Sequence, residues 1–180
     1  AAPKEIKIQV VADEAPLKPY MLNVRSYFTH PAISKDGNRV LIESRGEIFS
    51  LPATEGVVKD ITNTSGNAER YPVYSPDGKS IAYWSDKSGE YELWIMQTGN
   101  ESSARKITSY GPGFRYALNW SPDGKKLAFI DKAMQVKIVD AATGATTDVA
   151  RGKRLTHGAL EYFTFSWSAD SRWLAFTLDE

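Results

Sequence analysis

A Ser-x-Asp turn recurs four times along the chain, and each copy joins two short hydrophobic segments. The copies are Ser34-Lys35-Asp36-Gly37, Ser75-Pro76-Asp77-Gly78, Ser121-Pro122-Asp123-Gly124 and Ser168-Ala169-Asp170-Ser171. Their serines stand 41, 46 and 47 residues apart. A repeat of this length is typical of four-stranded propeller blades, because one small sheet cannot bury both of its faces alone. The repeat therefore constrains the fold more than any other feature of the sequence.

The residues of each turn favour a hairpin. Serine suits the first position of a type I turn, proline fixes φ at the second, and glycine accepts the positive φ that closes it. Around the second copy, Tyr71–Tyr74 and Ile81–Trp84 are rich in the aromatic and β-branched residues that strands prefer. Ser171 replaces the glycine in the fourth copy. We therefore expect that turn to differ in detail.

Two further strands follow each hairpin. The third strands are predicted at residues 47–51, 91–96 and 135–139, and the more polar fourth strands include residues 59–62, 105–108 and 147–150. The composition of the fourth strand suits an outer edge, where charge discourages pairing with other chains. Nothing longer than about ten residues has the periodicity of an amphipathic helix. The sequence predicts an all-β fold, a β-propeller built of four-stranded blades.

The length of the chain limits the number of blades. The predicted blades cover residues 28–66, 67–110, 111–150 and, truncated, 162–180. Propellers close with about four to eight blades, so we expect an incomplete arc of three blades plus part of a fourth, cut from a longer polypeptide. Residues 1–27 contain one predicted strand, Ile6–Val11, and then a connector with two prolines. This segment is predicted to belong to a preceding domain and its linker.

Composition excludes several kinds of function. Lys plus Arg equals Asp plus Glu at 22 each, so no overall field favours nucleic acid or an anionic membrane. The basic cluster at residues 151–154 is interpreted as a solvated surface. No cysteine is present, which excludes disulfides and cysteine-based zinc sites and leaves cytoplasm and periplasm equally open. The acidic turn at residues 86–90 lacks a full set of calcium ligands. We expect no metal, cofactor, nucleic-acid or membrane partner.

The second unit carries a family resemblance. Residues 68–94, with Glu69-Arg70 and the run Ser85-Asp86-Lys87-Ser88-Gly89-Glu90-Tyr91, resemble the tricorn protease family, as does Ser44–Phe49. The resemblance covers most of residues 28–180. It implies the start of a seven-bladed propeller, with PDZ and protease domains downstream and a homo-oligomeric parent protein. The shorter turn motif also resembles Tol-system propellers, so a scaffold for protein–protein interaction is the alternative.

Catalytic residues are not expected in this segment. A serine hydrolase needs a base within hydrogen-bond reach of its nucleophile, and the sequence has no Gly-x-Ser-x-Gly elbow. The two histidines, His30 and His157, are interpreted as structural, and the serines of the repeated turns as turn-formers. The five tryptophans are expected in the core between blades. Any chemistry of a tricorn-like parent serine peptidase would then lie outside this segment.

The candidate functional residues are Arg70 and Arg115. They stand five and six residues before Ser75 and Ser121, at nearly matching places in the predicted innermost strands. The tricorn resemblance implies that arginines here line a channel, where guanidinium groups would guide peptide substrates and products by pairing with carboxylates. The alternative is that both arginines form ion pairs between blades. The sequence leaves these two roles open.

Overall fold

A computed structural model describes residues 21–153 and 160–178 of the chain. The predicted strand Ile6–Val11, most of the predicted connector and His157 lie outside the described residues. Apart from two short 3-10 turns, at Arg25–Tyr27 and Leu160–Tyr162, the described segments form strands, turns and loops. No helix in these segments has the length and apolar character needed to cross a membrane.

Three antiparallel sheets of four strands follow one another, and a two-stranded sheet comes after them. The first sheet contains β1 (Thr29–Ile33), β2 (Arg39–Ser44), β3 (Glu47–Pro52) and β4 (Lys59–Asp60). The second contains β5 (Glu69–Tyr74), β6 (Ser80–Ser85), β7 (Glu92–Gln97) and β8 (Asn100–Lys106). The third contains β9 (Arg115–Trp120), β10 (Lys126–Asp131), β11 (Gln135–Asp140) and β12 (Thr146–Arg151), and the fourth β13 (Ser166–Trp167) and β14 (Leu174–Ala175). This confirms the all-β prediction of a partial β-propeller.

The four repeated turns have the same internal bonding. The serine Oγ donates to the aspartate Oδ1 at 2.6 Å in the first three copies and 2.5 Å in the fourth. Gly78 N–H donates to the Ser75 carbonyl at 2.8 Å, and Ser171 N–H donates to the Ser168 carbonyl at 2.9 Å. Ser171 has φ 60°, close to the 76° of Gly78. The fourth turn keeps the backbone conformation of the others, because its serine adopts the left-handed conformation that the glycines adopt elsewhere. It differs in detail, since the Ser171 hydroxyl accepts a hydrogen bond from Asp123 N–H at 3.0 Å.

A glutamate at the start of the third strand anchors the end of the fourth in the first two sheets. Glu47 accepts a hydrogen bond from the Thr62 hydroxyl at 2.7 Å, and Glu92 accepts one from Thr108 at 2.6 Å. Thr108 Oγ1 also accepts from Leu93 N–H at 3.0 Å, where a strand would supply a backbone carbonyl. The threonine side chains thus replace part of the backbone ladder. This explains why β4 and β8 end before the threonines that were predicted to lie within them.

Buried hydrophobic side chains fill the interface between each sheet and the next, and we call each such interface a seam. Leu41, Ile48, Ile81 and Tyr83 form the core between the first and second sheets. In the next seam, Trp84 is fully buried and meets the Phe129 ring edge-on at 5.0 Å. Trp84 therefore lies in the core between blades, as predicted, whereas Trp173 is 76% exposed and does not.

The first strands of consecutive sheets lie against one another. β1 contacts β5, and β5 contacts β9. In a radial arrangement of blades, the strands nearest the axis are the ones that converge. β1, β5 and β9 are therefore the innermost strands, and together they form the inner wall of the partial propeller.

Candidate functional site: the inner wall

A bulge interrupts each of these three inner strands at the same place. His30, Tyr71 and Ala117 each stand four residues before the serine of the following turn, and their φ angles are 49°, 54° and 48°. The pairing register with the second strand shifts at each of these points. Left-handed φ is uncommon outside glycine, and bulges re-aim the side chains around them. No sequence pattern predicts these bulges, because none of the three positions is a glycine.

The two arginines proposed from the sequence hold different positions relative to the bulge, because Arg70 stands one residue before it and Arg115 two. Arg115 pairs across the strands with Asp131, as Glu69 pairs with Ser85. Glu69 and Arg115 both stand six residues before their serines, and they are only 1% and 6% exposed. Tyr116 is the true counterpart of Arg70. Since successive side chains of a strand point to opposite faces, the offset of one residue places Arg70 and Arg115 in different surroundings.

Arg115 organises the loop before its own strand. Its guanidinium donates to the carbonyls of Tyr91, Gly113 and Gly111, the last two at 3.0 and 3.1 Å. Its Cζ lies 4.8 Å from the centre of the Tyr110 ring. The partners are backbone carbonyls of the second and third repeat units, not the acidic side chains of the predicted ion pair. With these donors engaged and the side chain buried, the position of Arg115 favours a structural role over binding a passing ligand.

Arg70 has a different environment. Its side chain is 40% exposed, and its Nε lies 3.9 Å from Glu43 Oε1, beyond hydrogen-bond distance. That Nε has no hydrogen-bond partner within the described segments. The Arg70 Cζ sits 5.3 Å from the centre of the Phe114 ring, in cation–π geometry. Arg70 is therefore a partly exposed cation on the inner wall, loosely held by one carboxylate across the blades.

Glu43 joins the first two bulges. Its Oε2 is 2.8 Å from His30 Nδ1 and accepts from Tyr71 N–H at 3.2 Å. The His30 and Tyr71 rings lie 3.9 Å apart at an interplanar angle of 41°. Glu43 itself is 6% exposed. His30 is thus fixed by a buried carboxylate, in keeping with the structural interpretation of this histidine.

Aromatic rings continue this wall across the second and third blades. Phe114 lies 5.0 Å from Tyr91 and 4.8 Å from Tyr116, and Tyr116 lies 6.3 Å from Tyr71. Burial raises the pKa of all three tyrosine hydroxyls, although the Arg70 guanidinium opposes that rise at each of them. The hydroxyls therefore stay protonated at neutral pH. A cation beside several rings is suited to a ligand with both a negative and an apolar part.

The sequence patterns did not indicate Glu43, Tyr91, Phe114 or Tyr116 as neighbours of Arg70. Tyr116 carried a usable signal, since it stands five residues before Ser121, as Arg70 does before Ser75. Phe114 and Glu43 carried none, because a loop and a second strand bring them to Arg70 only in the folded chain. We define the inner-wall cluster as Arg70, Tyr91, Phe114 and Tyr116.

These features define a β-propeller with one repeated Ser-x-Asp turn in each blade. The chain belongs to the PD40 family, described as the TolB beta propeller domain, whose family pattern matches residues 4–180.

Three known proteins illustrate the similarity. Dipeptidyl-peptidase 5 of Porphyromonas gingivalis is 26% identical over 166 residues, which cover 85% of this chain and 24% of that protein. The crystal structure of TolB from Acinetobacter baumannii superposes with a TM-score of 0.65 at 25% identity, over 84% of this chain and 37% of TolB. The crystal structure of the tricorn protease gives a TM-score of 0.63 at 21% identity, over 83% of this chain and 13% of the protease. The likeness to the tricorn protease concerns the fold alone.

Proposed function

We propose that this chain is a non-catalytic propeller segment of a tricorn-like serine peptidase, and that its inner wall guides peptide substrates and products. The observation that carries the proposal is Arg70, a guanidinium that is 40% exposed on an innermost strand and 3.9 Å from its nearest carboxylate. Guanidinium groups pair with carboxylates in a planar, two-point geometry. Such a group at the wall of a passage attracts the C-terminal carboxylate of a peptide.

The relatives support a peptidase. One of them is a dipeptidyl-peptidase, and the matched segment covers 85% of this chain. The chain spans 24% of that protein and 13% of the tricorn protease. Hydrolysis, the downstream PDZ and protease domains, and assembly of the parent into a homo-oligomer are therefore proposed for the complete gene product.

The test compares peptides with free and amidated C-termini. The complete gene product is assayed for hydrolysis of both forms, with and without Arg70→Ala. We expect the substitution to reduce the preference for free carboxylates several-fold, because the amide offers no charge to the guanidinium. Arg172→Ala is the matched control, since Arg172 is an exposed arginine on the turn of the fourth blade. An unchanged preference in Arg70→Ala rejects the guiding role.

A second candidate is a Tol-like scaffold for protein–protein interaction. The observation that favours it is the similarity to TolB, with a TM-score of 0.65, together with the family description itself. The same assay separates the two candidates. Complete gene product that hydrolyses none of the peptides, yet retains a protein partner in pull-down, supports the scaffold and contradicts the peptidase.

A further inference from the structure

We infer that Arg70, Phe114 and Tyr116 form a subsite that selects the last residue of a peptide by two features at once: its free carboxylate and a large aromatic or apolar side chain. This inference rests on the proposed function and deepens it, because it names the substrate class. Both features branch from the same Cα in a C-terminal residue. A site that reads both must place a cation directly beside an apolar surface.

The cationic half of the subsite is available for a ligand. Glu43 is the carboxylate nearest Arg70, and its Oε2 is already occupied by His30 Nδ1 at 2.8 Å and by Tyr71 N–H at 3.2 Å. Its other oxygen stays 3.9 Å from Arg70 Nε. Glu43 therefore orients the guanidinium from the side of Nε, which is buried, and the two terminal nitrogens remain for an incoming carboxylate.

The apolar half lies directly under the guanidinium. Phe114 and Tyr116 are both partly exposed, and their rings are 4.8 Å apart and tilted by 47°. The Arg70 Cζ is 5.3 Å from the Phe114 ring centre. Tilted rings at this spacing leave edges and faces that favour a third ring. A side chain of the terminal residue would lie on these rings while its carboxylate pairs with Arg70.

The bulges give this subsite a single location among the described inner strands. The counterparts of Arg70 are Thr29 in β1, Tyr116 in β9 and Phe163 ahead of β13, so Arg70 is the one cation at this level of the described wall. The charge and the exposed rings therefore coincide where the second and third blades meet. One such position suits one chain end, not an extended acidic ligand.

Binding of short peptides to the complete gene product tests the inference. The probes are N-acetylated tetrapeptides that end in Phe or Ala with a free carboxylate, and the Phe peptide with an amidated end. We expect the Phe acid to bind about tenfold more tightly than the Ala acid. Tyr116→Ala removes most of that ratio, and Arg70→Ala removes the difference between acid and amide. Tyr162→Ala, at an aromatic residue that is 83% exposed, is the matched control.

The outcomes separate this inference from the proposed function. Loss of the acid preference in Arg70→Ala, with an unchanged Phe-to-Ala ratio in Tyr116→Ala, overturns the inference and leaves carboxylate guiding intact. If the acid preference and the Phe-to-Ala ratio both persist in the variants, the inference and the guiding role of Arg70 are both overturned. Circular dichroism checks that the variants fold. If Tyr116→Ala does not fold, the unmodified protein decides, because equal affinity for the Phe and Ala acids overturns the inference.

Discussion

At the scale of single residues, the Arg115 side chain is held in place by several contacts at once. Three carbonyl groups accept its donors, and the Tyr110 ring covers one face of its guanidinium. Those carbonyls belong to a loop and to the neighbouring blade, so the side chain ties the start of β9 to the second blade. Its removal leaves three partly buried carbonyls without these donors, which costs more than the loss of an exposed ion pair.

We expect Arg115→Met to lower the free energy of unfolding by about 2–4 kcal/mol. Methionine keeps much of the packing of the aliphatic stem but donates no hydrogen bond. Urea denaturation followed by tryptophan fluorescence gives the measurement. The control is Arg172→Met at an exposed site, which should change stability by less than about 0.5 kcal/mol. Equal effects of the two substitutions would contradict the anchoring role.

The comparison of Arg70 with Arg115 shows where inference from sequence stops at this scale. Both lie near the start of an inner strand, and their spacing, five and six residues before their serines, predicts that they are near equivalents. A shift of one residue in a strand moves a side chain to the opposite face. The structure accordingly buries Arg115 at 6% exposure and leaves the Arg70 side chain at 40%. Charge and approximate spacing predict that both arginines lie near the start of an inner strand. Only the exact register shows that Arg115 is buried and that Arg70 is partly exposed.

At the scale of elements, the hairpins were the most predictable part of the chain. Hydrophobic flanks and the Ser-x-Asp turn indicated the paired strands, and β6 extends one residue beyond the predicted segment Ile81–Trp84 at either end. The outer strands were less predictable, because Thr62 and Thr108 take over hydrogen bonds that a backbone carbonyl would normally accept. A side chain that competes with the ladder is invisible to a pattern of hydrophobic residues.

The turn between β11 and β12 offers a test at this scale. Gly144 has φ 75°, and a Cβ there would lie 2.2 Å from the Ile107 carbonyl oxygen. We expect Gly144→Ala to lower the free energy of unfolding by about 3 kcal/mol or more, since backbone strain and a clash with a neighbouring blade add together.

Gly37→Ala is the matched control for the clash. Gly37 has a similar φ of 72°, but nothing lies within 4 Å of its Cβ position. Only the cost of the left-handed conformation then applies, about 1–2 kcal/mol. Thermal and urea denaturation of both variants give the comparison. The steric argument fails if the two substitutions destabilise the protein equally.

At the scale of the whole molecule, the seams between blades carry the core. The Trp120 indole donates to the Val73 carbonyl of the preceding blade at 3.4 Å, and Trp167 donates to Asn119 at 3.3 Å. Each blade thus depends chiefly on its neighbours, as in other repeat architectures. A substitution in one seam should therefore destabilise the two blades that share it more than the blades beyond them.

Phe129→Leu tests this coupling. The substitution weakens the edge-on contact with Trp84, and we expect a loss of about 1–3 kcal/mol in stability. Hydrogen exchange should accelerate in β6 and β10, on both sides of the seam, and less in β2. The control is Ile33→Ala, at a residue that is 68% exposed, which should leave hydrogen exchange unchanged. Acceleration confined to the third blade would show that the seam does not couple the blades.

The fourth turn shows how far the repeated units have come to differ. Ser171 Oγ accepts a hydrogen bond from Asp123 N–H of the preceding unit at 3.0 Å. The counterpart of Ser171 in the third unit, Gly124, has no side chain with which to do the same for the second. A tandem copy of any earlier unit inserted in fourth place would bring glycine there and withdraw that acceptor. The repeat units are therefore not interchangeable, because the contact between the third and fourth units depends on which unit stands in fourth place.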